Sequence, residues 1–262
     1  IPGWPSPTEP TQAWMSETPS HVRTRVRLAM SVELAAGLTV LIACGGSPLP
    51  DKTLKTKWAN YHHWADDTPC PEATVRLDAF VDALTTEFAL TLPSGFRVDY
   101  YKLRRSELVL LQTQLCRNDA AGACTNKSTT YSTDWVQLHE FVHQVFNSAG
   151  DPPPAFAEGV AEVYGCGDAR WIGARIDRSI DLKTLLPSSA WDAAAVTNYV
   201  AAGAFTRYLI DRHGQTTFLA LYRMLRFDDD LAAIDSAFRA VLSVSLEDAL
   251  AGWRASPPQE QG

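Results

Sequence analysis

Residues 139–143 read His-Glu-Phe-Val-His, and residues 158–162 read Glu-Gly-Val-Ala-Glu. On a helix, His139 and His143 project from the same face one turn apart, because residues four positions apart lie one above the other. Two imidazoles in this arrangement can converge on one Zn²⁺ ion at about 2.0–2.1 Å. Glu140 points close to the same ion and can take a proton from a water whose pKa the ion lowers to about 7. The pattern therefore predicts a zinc site.

The surrounding sequence places both runs on helices. Thr133 or Asp134 can cap a helix start. Apolar residues then recur at helical spacing: Trp135, Leu138, Val142 and Val145. A proline run at 152–154 breaks the chain, and a second helix from about Ala155 to Tyr164 carries Glu158, the candidate for a third ligand. The alternative is that these are two surface histidines on an amphipathic helix. The second helix, with its glutamates, would then follow the motif only by coincidence.

The spacing also indicates which kind of zinc site is present. The variant with a third histidine, HExxHxxGxxH, is excluded because Phe146 and Ala149 occupy the glycine and third-histidine positions. What remains is HExxH, fourteen intervening residues and then Glu. The run HEFVHQVFN…PAFAEGVAEVYG resembles the gluzincin peptidases, most closely the aminopeptidase N-like branch and its compact bacterial relatives, whose pattern is HExxHQ…W-x-x-EG-x-A.

This resemblance implies roles for the matching residues. His139, His143 and Glu158 would hold zinc, and Glu140 would be the catalytic base. Phe156 occupies the position where the family usually has tryptophan. This difference leaves the implied zinc ligands and catalytic base unchanged. The Gly-rich motif with which the aminopeptidases position a substrate amine is not visible upstream, so an aminopeptidase specificity is not implied.

The resemblance extends to residues 199–222, which look like the helix pair that follows the zinc ligands in small gluzincin-like proteins. There it implies a tyrosine that stabilises the tetrahedral oxyanion, and Tyr199 stands at that position. The alternative is that Tyr199 belongs to a core stripe, in which case His213 is the second candidate donor. Glu162, one turn after Glu158, is expected to orient a ligand histidine through its free ring nitrogen.

The N-terminal sequence is typical of a secretory signal. Arginines at positions 23, 25 and 27 precede an apolar stretch over 28–43, which ends in Leu-Ile-Ala-Cys at 41–44. This ending resembles the bacterial lipobox, in which the cysteine is lipidated. We therefore expect export, cleavage before Cys44 and a lipid anchor in the cell envelope, or secretion. A buried N-terminal helix is the alternative.

Four further cysteines agree with export: Cys70, Cys116, Cys124 and Cys166. An even set outside the zinc motif fits two disulfides in an oxidising compartment. Three connectivities are possible. We favour Cys116–Cys124, across a Gly/Asn/Ala-rich turn, which leaves Cys70–Cys166.

Composition sets the remaining bounds. The sequence divides into a targeting segment over 1–43, a tether over 44–52, one domain over 53–256 and a polar tail over 257–262. The net charge of −7 argues against nucleic acid and against an electrostatic attachment to anionic membranes. Contact with a membrane is expected only through the lipid anchor, and we expect a monomer.

Periodicity predicts strands before the motif and helices after it. Strands are predicted over 56–64 and 96–103, helices over 70–90 and 106–114, an extended segment over 127–132, and C-terminal helices over 193–213, 215–227, 231–242 and 245–255. This order fits an α+β, zincin-like fold whose cleft lies between the β layer and the C-terminal helices. Two classes of function follow: a zinc metallopeptidase acting on a peptide or protein substrate, or a catalytically weak or inactive surface lipoprotein of zincin fold that acts as a binding module.

Overall fold

The computed structural model describes residues 49–109, 123–165, 179–192 and 195–256. They all belong to the second of two units into which the chain divides, Ile1–Gly46 and Ser47–Gly262. The predictions for Cys44, Cys116 and Cys166 therefore lie outside the described residues. Within the described residues, no helix combines the length and apolar character needed to cross a membrane.

A five-stranded mixed sheet forms the N-terminal layer. Its strands are β1 (Lys52–Lys55), β2 (Ala59–His63), β3 (Val98–Lys102), β4 (Ala123–Asn126) and β5 (Thr129–Ser132). Their order across the sheet is β1-β2-β3-β5-β4. The three central strands run parallel, whereas the two edge strands pair antiparallel with their neighbours. The carboxyl ends of β2, β3 and β5 therefore meet at one edge of the sheet.

The sequence prediction found β2 and β3 but missed both edge strands. All four residues of β1 are exposed, so this strand has no apolar alternation that could reveal it. The extended segment predicted over 127–132 is the second half of a hairpin. Lys127 lies in the turn of this hairpin with a φ of 54°, and β5 is the strand that follows the turn. The first half of the hairpin is β4, for which no element was predicted.

Eight α-helices are described: α1 (Pro71–Glu87), α2 (Leu138–Phe146), α3 (Pro154–Gly165), α4 (Leu182–Leu185), α5 (Val196–His213), α6 (Gln215–Met224), α7 (Leu231–Leu242) and α8 (Leu246–Ala255). A 3₁₀ turn, Ser188–Ala190, precedes α5. The C-terminal helices match the predicted ones within a few residues, and Gly214 ends α5 with a φ of 83°. Residues 105–109 are also helical, which agrees with the start of the helix predicted over 106–114.

Helix α2 begins later than predicted. Its N-cap is Gln137, not Thr133 or Asp134, and no side chain caps it. The sheet holds the preceding residues out of the helix, because the Tyr100 hydroxyl donates to the Asp134 carbonyl at 2.6 Å and the Asp134 N–H donates to Ser132 Oγ at 2.9 Å. Trp135 therefore lies before the helix rather than on its buried face.

The core lies between the sheet and the helices. Alternation along β2 buries Ala59, Tyr61 and His63 on the side that faces α2. Tyr100 on β3 stacks on Phe141 of α2, with ring centroids 5.5 Å apart. This packing fixes the orientation of α2 beneath the sheet. The architecture is α+β, with a β layer followed by a mostly helical C-terminal part, as predicted.

The two described cysteines differ in state. Cys70 is a free thiol, exposed immediately before α1. The predicted Cys70–Cys166 disulfide is therefore not formed, because Cys70 points into solvent at the start of the helix. Cys124 on β4 is disulfide-bonded. Its partner lies outside the described residues, so the Cys116–Cys124 pairing stays a prediction.

Candidate metal centre

Three side-chain atoms from α2 and α3 converge on one point. His139 Nε2 and Glu158 Oε2 are 3.0 Å apart, and His143 Nε2 and Glu158 Oε2 are 3.2 Å apart. The third distance, between the two Nε2 atoms, is 3.1 Å. These are the three ligands predicted from the sequence, and together they could hold a metal ion. No second cluster of three such side chains occurs in the part of the chain that the structure describes.

The donor set fits zinc in both chemistry and size. Two imidazoles and one carboxylate are ligands of catalytic zinc sites, which leave a fourth position open. Ligand atoms about 2.0–2.1 Å from an ion at the centre of a tetrahedron lie about 3.3 Å from one another. The observed separations of 3.0, 3.1 and 3.2 Å are close to this value.

Two glycines let the ligand helices approach closely. A methyl group at Gly165 would come within 2.8 Å of the Leu138 carbonyl carbon, so the end of α3 crosses directly over the start of α2. A methyl group at Gly159 would come within 2.8 Å of the Ala202 carbonyl oxygen on α5. Gly159 follows Glu158, so the packing of α3 on α5 sets the position of this ligand. Glycine is required here for close approach rather than for its backbone freedom.

Opposing effects act on the ionisation of Glu158. Burial by itself would raise its pKa, but the charge of His143 and the hydrogen bonds from His139 and His143 outweigh this effect. The net result is a pKa well below the ordinary value of a glutamate. Glu158 is therefore anionic at neutral pH, the form in which a carboxylate binds a cation.

Glu162 lies next to the ring nitrogen of His139 that faces away from Glu158. Its side chain is fully buried, and its Oε1 atom lies 3.3 Å from His139 Nδ1. With a cation held by Nε2, Nδ1–H would donate to this carboxylate and leave the lone pair of His139 on Nε2, the atom that faces Glu158. The contact therefore supports the ring orientation in which Nε2 of His139 lies in the cluster.

Glu140 lies on α2 between the two histidines and is almost fully buried. The Thr125 hydroxyl donates to the Glu140 carbonyl at 3.5 Å and connects this turn of α2 to strand β4.

Tyr199 approaches the cluster from α5. Its ring centroid is 6.4 Å from that of His139. Burial, followed by the charge of Glu158, raises the pKa of Tyr199 above the ordinary value, so its phenol stays protonated and able to donate. His213, the other candidate donor, lies at the far end of the same helix, about 21 Å away at 1.5 Å per residue. The geometry therefore favours Tyr199 over His213.

Two residues at the site were missed by the sequence analysis. Trp191 lies against Tyr199, with ring centroids 5.3 Å apart and the ring planes at 69°. Asn198 is buried next to Tyr199 on α5, and its Nδ2 donates to the Asp192 carbonyl at 3.2 Å. A buried asparagine inside a helix was the available signal, because such a residue needs a hydrogen-bond partner. Trp191 lies before the helix predicted over 193–213, so helical periodicity could not relate it to Tyr199.

Comparison with protein-family models and with curated proteins finds no match. The class of the protein is therefore defined by its α+β architecture and by a His₂Glu cluster that could hold a metal ion.

Proposed function

We propose that this protein is a zinc-dependent hydrolase of peptide bonds that acts on peptide or protein substrates. The observation that carries the proposal is the convergence of His139, His143 and Glu158, with atom separations that suit zinc and with Glu140 beside them. The resemblance of the motif to the gluzincin peptidases supports the same reaction.

Each residue near the cluster has a role in the proposed reaction. A bound Zn²⁺ would supply a Lewis acid that acidifies water and polarises a carbonyl group. Glu140 accepts the proton of the attacking water and passes it to the leaving amine. Tyr199 donates a hydrogen bond to the substrate oxygen as negative charge develops there. Glu162 keeps His139 in the tautomer that presents Nε2.

Zinc binding is tested by metal analysis of the purified protein. Wild type is expected to hold one zinc per chain, and Glu158→Ala is expected to lose most of it because one of three ligands is gone. Glu72→Ala is the matched control, since Glu72 is exposed on α1. Equal zinc contents in wild type and Glu158→Ala would remove Glu158 from the ligand set.

Catalysis is tested with Glu140→Gln and a peptide library. The amide has nearly the same shape but cannot accept the proton, so the variant should keep its zinc while the rate falls by about 10²–10⁴-fold. Full activity in this variant would contradict the proposed role of Glu140 as the general base. A wild type that binds zinc but cleaves no peptide would identify the protein as a zincin-like binding module.

We also propose that the protein is exported and anchored by lipid at Cys44. The support comes from the sequence alone: the arginines at 23–27, the apolar run and the Leu-Ile-Ala-Cys ending. Mass spectrometry of the N-terminus from membrane fractions tests it. An unmodified Cys44 within an uncut chain would rule it out.

A further inference from the structure

A cavity separate from the metal cluster lies where the end of α1 meets the amino ends of β2 and β3. Its volume is about 330 Å³, and the metal-cluster residues do not line it. The walls include the apolar side chains of Trp58, Leu90, Leu92 and Phe96. Pockets for small molecules typically have volumes of about 300–1,000 Å³, so this cavity has room for one compact group.

Backbone hydrogen bonds fix the segment between α1 and β3 at both of its ends. The Leu90 N–H donates to the Thr85 carbonyl at 2.8 Å, which closes the end of α1. The Phe96 N–H donates to the Pro93 carbonyl at 3.0 Å and closes a four-residue turn. The third residue of this turn, Gly95, has a φ of 75°, as a type II turn requires. The apolar wall that this segment contributes is therefore formed before any ligand arrives.

The Trp58 side of the cavity is also held in place. The Trp58 indole N–H donates to Asp82 Oδ1 at 2.9 Å, and its backbone N–H donates to Asp78 Oδ1 at 3.1 Å. The Trp58 ring meets that of Phe96 edge-on, with centroids 6.2 Å apart. A ligand that packs on these rings therefore pays little to order them, since preformed pockets reduce the cost of binding.

The charged residues that line the cavity are both cations, Lys57 and Arg97. Lys57 Nζ lies 2.6 Å from Asp82 Oδ1, so its charge is compensated. Arg97 is exposed, and its Nε donates to the Thr56 carbonyl at 3.2 Å. Within the described ranges, no carboxylate lies at ion-pair distance from the Arg97 guanidinium. An apolar cavity therefore carries one uncompensated positive charge at its edge.

We propose that this cavity binds a compact apolar monocarboxylate, whose apolar group packs on Trp58 and Phe96 while its carboxylate pairs with Arg97. A guanidinium can donate two parallel hydrogen bonds to a carboxylate or to a phosphate. A phosphate monoester carries a charge of about −1.5 to −2 at neutral pH, which exceeds the one free positive charge. A carboxylate carries a single charge and matches it. Binding in this cavity is independent of the metal cluster and of the proposed hydrolysis.

Binding is tested by NMR of the full chain labelled with ¹⁵N in its eight tryptophan indoles, with N-acetyl-L-phenylalanine as the probe. Trp58→Phe removes one indole resonance and so identifies that of Trp58. If this variant does not fold, Asp82→Asn identifies the same resonance by removing its hydrogen-bond acceptor. Titration of wild type with the probe should shift the Trp58 resonance in a saturable way. A Trp58 resonance that does not move overturns the proposal.

Related probes and one matched pair of variants separate the two parts of the interaction. N-acetyl-L-phenylalaninamide lacks the charge and N-acetylglycine lacks the apolar group, so each should bind about tenfold more weakly than the probe. Arg97→Gln should weaken binding of the probe by about tenfold, because it removes a charge-assisted hydrogen bond. Arg212→Gln is the control, since it removes an exposed arginine on α5 and should leave the affinity unchanged.

Further comparisons decide the class of ligand and its source. Tighter binding of benzyl phosphate than of N-acetyl-L-phenylalanine would overturn the choice of a carboxylate. Equal affinities in wild type and Arg97→Gln would overturn the role of Arg97. Loss of binding on addition of EDTA would place the probe at the metal cluster and overturn the assignment to this cavity. Where the assignment holds, tighter binding of N-acetyl-L-phenylalanine than of 3-phenylpropanoate supports the C-terminal residue of a peptide as the source, and the reverse order supports a free acid.

Discussion

The buried contact between Glu162 and His139 predicts how the zinc affinity changes when Glu162 is replaced. Glu162 Oε1 lies 3.3 Å from His139 Nδ1, and the carboxylate is completely buried. Glu162→Gln keeps an oxygen acceptor for Nδ1–H but removes the negative charge. Glu162→Leu removes the charge and the acceptor while keeping a similar volume. The pair of variants therefore separates the electrostatic contribution from the control of the tautomer.

Loss of a hydrogen-bond partner behind a metal ligand typically weakens metal binding by about 10–100-fold, which corresponds to about 1.4–2.7 kcal/mol. Because the Glu162 carboxylate is fully buried, we place Glu162→Leu at the upper end of this range, near 100-fold, and Glu162→Gln nearer tenfold. The assay is competition for Zn²⁺ against a chromophoric chelator at fixed pH and ionic strength. Circular dichroism of each variant confirms that it is folded.

Glu72→Gln is the control for this comparison, because it removes an exposed glutamate and should leave the zinc affinity unchanged. If Glu162→Leu bound zinc as tightly as wild type, the reasoning from Glu162 to the His139 tautomer would be refuted. A uniform loss in all three variants would instead point to the net charge of the protein.

Two predictions concern stability. Gly159→Ala would place a methyl group within 2.8 Å of the Ala202 carbonyl oxygen. The overpacking cost of about 1–3 kcal/mol should outweigh the roughly 1 kcal/mol gained in helix propensity, so urea unfolding should shift to lower concentration. An unchanged midpoint would show that α3 and α5 can separate freely. Asp235 accepts from the Leu246 N–H at 2.7 Å and pairs with Arg239 at 2.8 Å. The Arg239 hydrogen bond, followed by that from Leu246, lowers the pKa of Asp235. Its stabilising contribution is therefore present above the ordinary carboxyl pKa of about 3.9 and is lost as the pH falls through the lowered value. Asp235→Asn should be less stable than wild type at pH 7, and the difference should shrink when unfolding is measured at progressively lower pH. A difference that stays constant down to pH 2 would contradict this.

The ligand set was predictable because it depends on spacing within helices. His143 lies four positions after His139, and helix geometry alone puts them on one face. Glu158 was a candidate because it lies on the second predicted helix, and the resemblance to a known motif supported it. Spacing alone does not determine how two helices fold together. The structure adds what spacing could not provide: Gly159 and Gly165 allow the two helices to approach until the three ligand atoms meet.

Features that depend on tertiary contacts were not predictable. Strand β1 is entirely exposed and is held by backbone pairing with β2, which leaves no apolar pattern in the sequence. The start of α2 is set by two hydrogen bonds at Asp134: its carbonyl accepts from the Tyr100 hydroxyl on β3, and its N–H donates to Ser132 Oγ at the end of β5. Trp191 is brought to Tyr199 by the fold of its 3₁₀ turn, a contact that no helical periodicity encodes.

The sequence separations within the metal cluster have a consequence for folding. The three pairs of ligand atoms join residues that are 4, 15 and 19 positions apart. Contacts this local close small loops at little entropic cost and tend to form early, whereas long-range contacts form slowly. We therefore expect α2 and α3 to meet, and the ligands to come together, before the later part of the chain brings Tyr199 and Trp191 to the site. A nascent chain could then capture its metal while the residues that would act on a substrate are still unfolded.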